Sequence, residues 1–462
     1  MNSVDFSHLN LQPALLENLR SLNYIEMTPI QAQSLPLILA GADVIAQGQT
    51  GSGKTAAFGL GMLQKLAVQS YWVQQLVICP TRELADQVAK EIRRLARAIH
   101  NIKVLTLCGG MPFGPQIGSL EHGAHIVVGT PGRIEEHARK GNLKLDKVDT
   151  LVLDEADRML EMGFQESLDA IIENIPARRQ TLLFSATYPP QIKSIAERVM
   201  QQPEFVKVAS THDTNSIDQR FYKITTQDER MQALRLLLAA FEHESALIFC
   251  NTKAETRDIV EFLVGFGFSV VALNGDMEQK DRDRTLVLFA NKSTAIMVAT
   301  DVAARGLDVD DLDLVINYQV AKDPEVHTHR VGRTGRAGSK GIACSLFSDN
   351  EAHRLAQLEL TIDPILETTK LPDRRLLNNA PASPAMTTIQ IDGGKKQKLR
   401  PGDILGALTG TDGIDGKQVG KIHMFPNSAF VAVDKHSVKK ALTKLGTDKM
   451  KGRKFRVRHV RD

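Results

Sequence analysis

Short apolar runs alternate along the chain with longer stretches that carry apolar residues at the spacing of amphipathic helices. Such runs are typical of buried strands. The first series comprises DVIAQG (43–48), QLVICP (75–80), VLTLCGG (104–110), HIVVGTP (125–131), TLVLDE (150–155) and TLLFSAT (181–187). Strands that alternate with helices predict an α/β fold, with a parallel sheet covered by helices on both faces.

A second series of runs predicts a second α/β domain. It comprises ALIFCN (246–251), SVVALNG (269–275), AIMVATD (295–301), LVINYQV (314–320) and IACSLF (342–347). We place the break between the domains in a polar stretch at 207–221, and interpret the Pro-rich segment 378–386 as a flexible linker. The predicted boundaries are 1–209, 217–370, a linker at 371–385, and a C-terminal domain at 386–462.

The C-terminal domain follows a different pattern, in the order strand, helix, strand, strand, helix, strand. This βαββαβ order is that of a small RNA-recognition (RRM-like) fold. RRM domains usually stack bases on aromatic residues of their central strands, but here Phe430 is the single aromatic residue available there. We therefore expect basic side chains to bind RNA instead, namely Lys395, Lys396, Lys398, Arg400, Lys451, Arg453, Lys454, Arg456 and Arg458. The alternative is that these charges only solubilise the domain.

Composition narrows the class of protein further. The chain has 462 residues, too many for one compact core, and its net charge of +3 hides an asymmetry. Residues 381–462 carry 17 basic and 7 acidic residues, whereas the remainder is slightly acidic, which favours a polyanion partner for the tail. No apolar run has the length of a membrane span, no secretory signal is evident, and the four scattered cysteines predict a reduced, cytoplasmic protein. No obligate protein partner is predicted.

A phosphate-binding motif supplies the first chemistry. GQTGSGKT, residues 48–55, fits the P-loop pattern between a predicted strand and a predicted helix. The motif consists of Gly48, Gln49, Thr50, Gly51, Ser52, Gly53, Lys54 and Thr55. Glycines let backbone N–H groups surround phosphate oxygens, while Lys54 reaches the outer phosphates and the Thr55 hydroxyl ligates Mg²⁺.

Clustered acids at the end of a predicted buried strand have two interpretations. Asp154 and Glu155 follow the apolar run LVL, and either they mark the surface or they face a cation. The P-loop favours the second interpretation, because Asp154 can then hold Mg²⁺ while Glu155 orients or deprotonates the attacking water. The sequence thus predicts an enzyme that hydrolyses a nucleoside triphosphate.

The motifs together resemble those of the DEAD-box RNA helicases over residues 1–370. The carriers are YIEMTPIQ (24–31), PTRELA (80–85), Gly109-Gly110, TPGR (130–133), DEAD (154–157), SAT (185–187), LIFCNT (247–252), QKDR (279–282), ATDVAARGLD (299–308) and HRVGRTGR (329–336). The resemblance implies two tandem RecA-like domains, ATP as substrate, and an adenine pocket in which Gln31 reads the base edge and Tyr24 stacks on the ring. A further aromatic residue upstream, here Phe6, is usual in the family. Two departures are Gly48, where alanine is usual, and Asn274, where histidine is usual.

The resemblance also implies roles for further residues. RNA contacts fall on Arg82, Gly110, Thr130, Arg133, Arg282 and Thr300. Asp308 would contact the ribose, and Arg333 and Arg336 would act as arginine fingers on the γ-phosphate. Ser185 and Thr187, with Asp157 and His329, would couple hydrolysis to unwinding.

The tail resembles that of the bacterial DbpA-type subfamily, on IDGGKKQKLRPGDILGALTG (391–410) and VGKIHMF (419–425). This implies binding to 23S rRNA and remodelling of pre-50S ribosomal particles during large-subunit assembly. A DNA-translocating helicase and an ATP-gated RNA clamp remain as alternatives. Stimulation by single-stranded DNA would indicate the first, and failure to displace a strand would indicate the second.

Overall fold

The computed structural model of the chain describes residues 5–48, 51–208, 217–304, 311–335, 341–359 and 368–460. The chain divides into two compact units, Met1–Thr211 with Gly306–Asp308, and His212–Arg305 with Val309–Asp462. Within the described ranges, no helix is both long and apolar enough to cross a lipid bilayer.

The first unit is built on one parallel sheet. Its strands are β1 (Val44–Gln47), β2 (Gln75–Ile78), β3 (Val104–Leu107), β4 (Ile126–Gly129), β5 (Thr150–Asp154), β6 (Gln180–Ser185) and β7 (Glu204–Lys207). They lie in the order β3-β4-β2-β5-β6-β1-β7. Its helices are α1 (Pro13–Ser21), α2 (Pro29–Leu39), α3 (Lys54–Lys65), α4 (Arg82–Leu95), α5 (Phe113–Glu121), α6 (Pro131–Arg139), α7 (Ala156–Glu161), α8 (Gln165–Glu173) and α9 (Pro190–Val199).

The carboxyl edge of this sheet gathers the chemically important residues. Gln47 at the end of β1 lies opposite Ser185 at the end of β6. Asp154 at the end of β5 lies opposite Phe184, which is also in β6. The two faces of the sheet pack into two separate apolar cores, so the central strands are buried on both sides. The P-loop, the acidic pair and the SAT segment therefore leave a rigid sheet side by side, as ligand sites of parallel sheets do.

The second unit begins with another parallel sheet. Its strands are β8 (Ile217–Lys223), β9 (Ala246–Cys250), β10 (Val270–Leu273), β11 (Ile296–Thr300), β12 (Leu314–Asn317) and β13 (Gly341–Phe347), in the order β10-β11-β9-β12-β13-β8. Its helices are α10 (Gln227–Ala240), α11 (Lys253–Gly265), α12 (Gln279–Ala290), α13 (Asp301–Ala304), α14 (Pro324–Val331) and α15 (Ala352–Glu359). All four cysteines of the chain are free and buried.

The C-terminal part of the second unit is a small antiparallel sheet with two helices. The elements are β14 (Met386–Ile391), α16 (Pro401–Thr409), β15 (Val419–Met424), β16 (Ala429–Asp434), α17 (Val438–Thr447) and β17 (Val457–Val460). The strand order is β15-β16-β14-β17. Apolar residues of both helices pack on one face of the sheet, among them Ile404, Leu408, Ala441 and Leu445.

The predicted fold class is confirmed: two parallel α/β domains are followed by a βαββαβ domain. Sequence patterning missed β7 and β8, which are the outermost strands of their sheets. In β8, Asp218, Gln219 and Arg220 interrupt the apolar pattern, and only Phe221 and Tyr222 are buried. The strand therefore overlaps the polar stretch interpreted as a domain break, because an edge strand needs to bury less of its length.

Candidate nucleotide and RNA site

The P-loop joins β1 to α3 through a turn that only glycine adopts without strain. Gly51 and Gly53 have φ angles of 83° and 94°, in the left-handed region. Lys54 is buried, and its Nζ donates to the Gly48 carbonyl oxygen at 2.7 Å. Backbone and ammonium groups are thus gathered around one turn; Gln49 and Thr50 lie outside the described residues.

Gln31 contacts the P-loop directly. The side-chain Oε1 accepts from the Thr28 backbone N–H at 2.9 Å, which caps α2, and Nε2 donates to the Gly53 carbonyl at 3.1 Å. A Cβ at Gly53 would lie 2.4 Å from this Nε2, so the close approach requires glycine. The predicted adenine-reading residue is therefore held against the phosphate loop.

Tyr24 is half-buried and anchored to α4. Its hydroxyl donates to Glu91 at 2.9 Å, the Arg94 guanidinium lies 5.4 Å from its ring centre, and Phe6 packs edge-on at 6.2 Å. Burial, followed by the hydrogen bond to Glu91, raises the pKa of the Tyr24 phenol. These contacts fix the ring that is predicted to stack on adenine.

Asp154 closes β5 as a fully buried carboxylate. Burial raises the pKa of Asp154 to about 7, although the Lys54 ammonium lowers it, and Glu155 raises it further. Glu155 follows with a φ of 52°, a rare angle for a residue with a side chain, which marks a constrained turn before α7.

Asp154 and Thr55 are suited to hold a magnesium ion that binds together with the nucleotide. A divalent cation would favour the charged form of Asp154 that burial disfavours. One carboxylate and the Thr55 hydroxyl, completed by phosphate and water oxygens, form a typical donor set for Mg²⁺ in P-loop enzymes. Among the residues that the structure describes, no group of three or more His, Cys, Asp or Glu side chains could hold a metal by themselves.

Asp157 links the acidic segment to the SAT segment. Its Oδ2 accepts from the Thr187 backbone N–H at 3.0 Å and from the Thr187 hydroxyl at 2.9 Å. The Ser185 carbonyl accepts from the Gly48 N–H at 3.0 Å, so the same segment also contacts the P-loop. A shift at the phosphates can therefore reach SAT through hydrogen bonds that lie inside one domain.

Three of the predicted RNA-contact segments converge beside α4. The Arg82 guanidinium packs against Gly110, where a Cβ would overlap it, and Gly110 has a φ of 64°. Arg82 Nη1 is buried without a hydrogen-bond partner among the described residues. The Gly109 N–H donates to the Thr130 hydroxyl at 3.4 Å. A guanidinium with an unused buried N–H is suited to a phosphate oxygen.

In the second unit, Arg282 and Thr300 meet at the start of α13. Arg282 Nη2 donates to the Ala303 carbonyl at 2.8 Å, and the Thr300 hydroxyl accepts from the Ala303 N–H at 3.4 Å. Asn274 is buried and its Oδ1 accepts from the Asp276 N–H at 3.1 Å, which forms a local turn. Arg282 and Thr300 are both predicted RNA contacts, and both are hydrogen-bonded to the backbone of Ala303.

The HRVGRTGR segment is described in part. His329 lies in the last turn of α14, and the Arg333 carbonyl accepts from the Leu312 N–H at 3.0 Å in the turn that follows. Arg336 and Asp308 lie outside the described residues.

Arg330, for which the sequence analysis predicts no role, is a buried and extensively hydrogen-bonded arginine of this segment. It is 1% exposed and its guanidinium contacts Asp301 at 2.6 and 2.8 Å, the Gln319 carbonyl at 2.8 Å and Asn251 at 3.2 Å. Asn251 and Asp301 belong to two separate predicted motifs, and Gln319 belongs to the predicted strand run LVINYQV. Its position inside HRVGRTGR indicated that Arg330 matters, but motif spacing alone cannot distinguish a structural arginine from the predicted arginine fingers of the same motif.

The open face of the C-terminal sheet is covered by α12. Phe430 and Val460 pack against Val287 and Leu288 in one buried cluster. The Thr388 hydroxyl accepts from Asn291 Nδ2 at 3.0 Å beside this cluster. The single central aromatic residue is therefore used for packing between domains.

The predicted basic residues of the tail lie at one end of its sheet, and we name them the basic rim: Lys395, Lys396, Lys398, Arg400, Lys451, Arg453, Lys454, Arg456 and Arg458. All are exposed. The Asp392 N–H donates to the Arg456 carbonyl at 2.9 Å, which joins the two loops that carry them. Two of the nine have carboxylate partners: Lys451 pairs with Asp403 at 3.4 Å and Arg458 with Asp392 at 3.3 Å.

Comparison with known proteins defines the class. The family model described as DEAD/DEAH box helicase matches residues 28–195, that of the helicase conserved C-terminal domain matches 229–338, and that of the DbpA RNA binding domain matches 388–459. Two helicase domains followed by an RNA-binding domain define an ATP-driven RNA helicase.

Individual relatives agree. The chain is 50% identical to ATP-dependent RNA helicase DbpA of Escherichia coli K12, over 98% of this chain and 99% of that protein. It is 42% identical to DEAD-box ATP-dependent RNA helicase CshA of Geobacillus kaustophilus over 79% and 78%. The structure of S. cerevisiae Dbp5 bound to RNA and ADP BeF3 matches with a TM-score of 0.72 and 27% identity, over 82% and 100%. The chain therefore belongs to the DEAD-box ATP-dependent RNA helicases, with a DbpA-type RNA-binding domain.

Proposed function

We propose that this helicase remodels ribosomal RNA, specifically 23S rRNA in pre-50S particles, in the cytoplasm. The observation that carries the proposal is the basic rim, exposed at one end of a DbpA-type domain whose sheet face is occupied. The E. coli relative that matches 98% of this chain carries the name DbpA. With the stacking face closed, the rim provides the charge that a folded RNA helix requires.

We assign the ATP-hydrolysis roles as follows. Lys54 neutralises the outer phosphates, Thr55 and Asp154 would hold Mg²⁺, and Glu155 activates the attacking water. The cation supplies charge stabilisation at the phosphates when it is bound. Arg333 and Arg336 act as arginine fingers. The buried, unpartnered N–H of Arg82 supports RNA contact in the first domain, as the meeting of Arg282 with Thr300 does in the second.

The test compares ATPase stimulation by 23S rRNA fragments, 16S rRNA fragments and random RNA. We expect Lys395→Glu with Lys396→Glu to raise the half-saturating concentration of the 23S fragment by about tenfold or more, because phosphate contacts are lost. The matched control is Lys439→Glu with Lys440→Glu, another exposed adjacent pair, on α17. Equal effects of the two pairs would mean that charge alone matters, and a lack of preference for 23S rRNA would refute the substrate.

A further inference from the structure

Gln116 of α5 is a buried glutamine whose amide nitrogen and amide oxygen are both hydrogen-bonded. Its Nε2 donates to the Cys108 carbonyl at 3.1 Å. Its Oε1 accepts from Arg133 Nη1 at 3.0 Å and lies 2.9 Å from His137 Nε2. Only 8% of the residue is exposed, so it is not itself a surface for RNA.

These contacts secure both ends of the turn that contains Gly109 and Gly110. Cys108 precedes the turn and is held by Gln116, while Met111 follows it and its carbonyl accepts from Arg133 Nη1 at 3.0 Å. Arg133 is in turn held by Gln116. One amide therefore sets the position of the turn on its two sides.

The turn determines where Arg82 lies. The Arg82 guanidinium packs on Gly110, and its buried Nη1 has no partner among the described residues. Thr130 contacts the same turn through Gly109. A displaced turn would therefore move the groups proposed to hold the RNA backbone.

Arg133 fixes the orientation of the Gln116 amide, and the amide in turn fixes the tautomer of His137. Arg133 can only donate, so Gln116 must present Oε1 to it, and His137 must then carry its proton on Nε2. His137 Nδ1 is buried without a partner in the described part of the chain. Burial first, then the Arg133 charge, lowers the pKa of His137; Glu136 opposes this and Lys140 adds to it. Phe113 stacks on the imidazole at 4.2 Å and keeps the neutral ring in place.

We propose that Gln116 is a positioning residue for RNA binding: it holds the Gly109-Gly110 turn, with Arg133, in the shape that presents Arg82 to a backbone phosphate. This rests on the proposed RNA contact of Arg82. Arg133 contributes through its bond to Met111: its Nη1 is bonded twice, and its Nε pairs with Glu136 at 3.2 Å.

The experiment measures ATPase rates of the full chain against RNA concentration, with a single-stranded oligoribonucleotide. Gln116→Leu is expected to raise the half-saturating RNA concentration about tenfold, while kcat at saturating RNA falls less than twofold. The matched control is Gln74→Leu. Gln74 is equally buried in the same unit and makes three hydrogen bonds, to Ala67 twice and to Ser70, around a turn that precedes β2.

Gln74→Leu should lower the melting temperature as Gln116→Leu does, without weakening RNA binding. Equal RNA affinities for the two variants would overturn the proposal. Gln116→Glu keeps an acceptor for Arg133, adds a negative charge beside that guanidinium and loses the donor to Cys108, so about a threefold loss of affinity is expected. If the leucine variant does not fold, the glutamate variant still tests the proposal, because an unchanged RNA affinity of Gln116→Glu would contradict it. Arg82→Ala distinguishes failure of the proposed Arg82 contact from failure of the Gln116 positioning role. Normal RNA binding by the Arg82 variant would refute the contact itself.

Discussion

At the scale of single residues, burial explains most of the chemistry. Asp154 is withdrawn from water beside a buried lysine, and burial raises the pKa of its carboxyl group to about 7. Glu155, one residue later, has a left-handed backbone conformation and is only partly buried. Two adjacent acids therefore have different environments, which is the usual way in which neighbouring carboxylates acquire separate roles.

The first prediction concerns Glu155→Gln. Glutamine keeps the size and hydrogen-bonding capacity of the side chain but cannot take a proton, so the ATPase rate should fall by about 100-fold or more, with ATP still bound. Single-turnover phosphate release and nucleotide binding measure the two effects. Glu166→Gln, at an exposed acid of α8, is the control and should keep normal turnover. Rapid phosphate release by the Glu155 variant would exclude the role.

At the scale of elements, sequence patterning located the central strands of both parallel sheets and missed one edge strand of each, β7 and β8. β1 to β6 follow apolar runs, whereas β7 and β8 do not. The same limit applies to the site. Motif spacing located Lys54, Asp154 and Asp157, but Gln116 and Arg330 act through contacts between elements that are distant in sequence. Such contacts exist only after the helices have packed.

The packing of α14 on β8 predicts a pH effect on stability. His327 is fully buried, with its Nε2 3.0 Å from Gln219 Oε1, and Phe221 stacks on its ring at 5.9 Å. Burial and then Arg330 lower the pKa of His327 to about 3, so the folded protein keeps it neutral while the unfolded chain takes up a proton below about 6.5. Stability from this residue is complete above that pH and is lost as the pH falls towards 3.

Urea unfolding at a series of pH values tests this prediction. The wild-type free energy of unfolding should lose up to about 1.4 kcal/mol per pH unit from this group between pH 6 and pH 4. His327→Phe removes the titrating group and should flatten the dependence by that amount. His436→Gln changes an exposed histidine and serves as the control. Equal slopes for the wild type and the His327 variant would contradict the explanation.

At the scale of the whole molecule, the second unit contains a helicase domain and an RNA-binding domain that pack together at α12 and the turn after it. α12 carries Arg282 in its first turn and Val287 and Leu288 near its end, where Phe430 and Val460 cover them. The linker also contacts the second domain, because Arg235 Nη2 of α10 donates to the Leu377 carbonyl at 2.7 Å. An RNA held by the basic rim is thus attached to the helix that carries a proposed core RNA contact.

Leu288→Lys should separate the C-terminal domain from the second domain. The ammonium group would have to be buried without a partner, which costs more than release of the small sheet into water. We expect hydrogen exchange of β16 and β17 amides to accelerate by about tenfold or more, since local openings follow the contacts that close them. Val264→Lys, on α11 of the same domain, changes a residue that is already 56% exposed and should leave exchange unchanged. If both variants exchanged like the wild type, the sheet would be held by contacts other than this cluster. If both exchanged faster, the effect would belong to the added charge, so only the difference between them establishes α12 as the docking element.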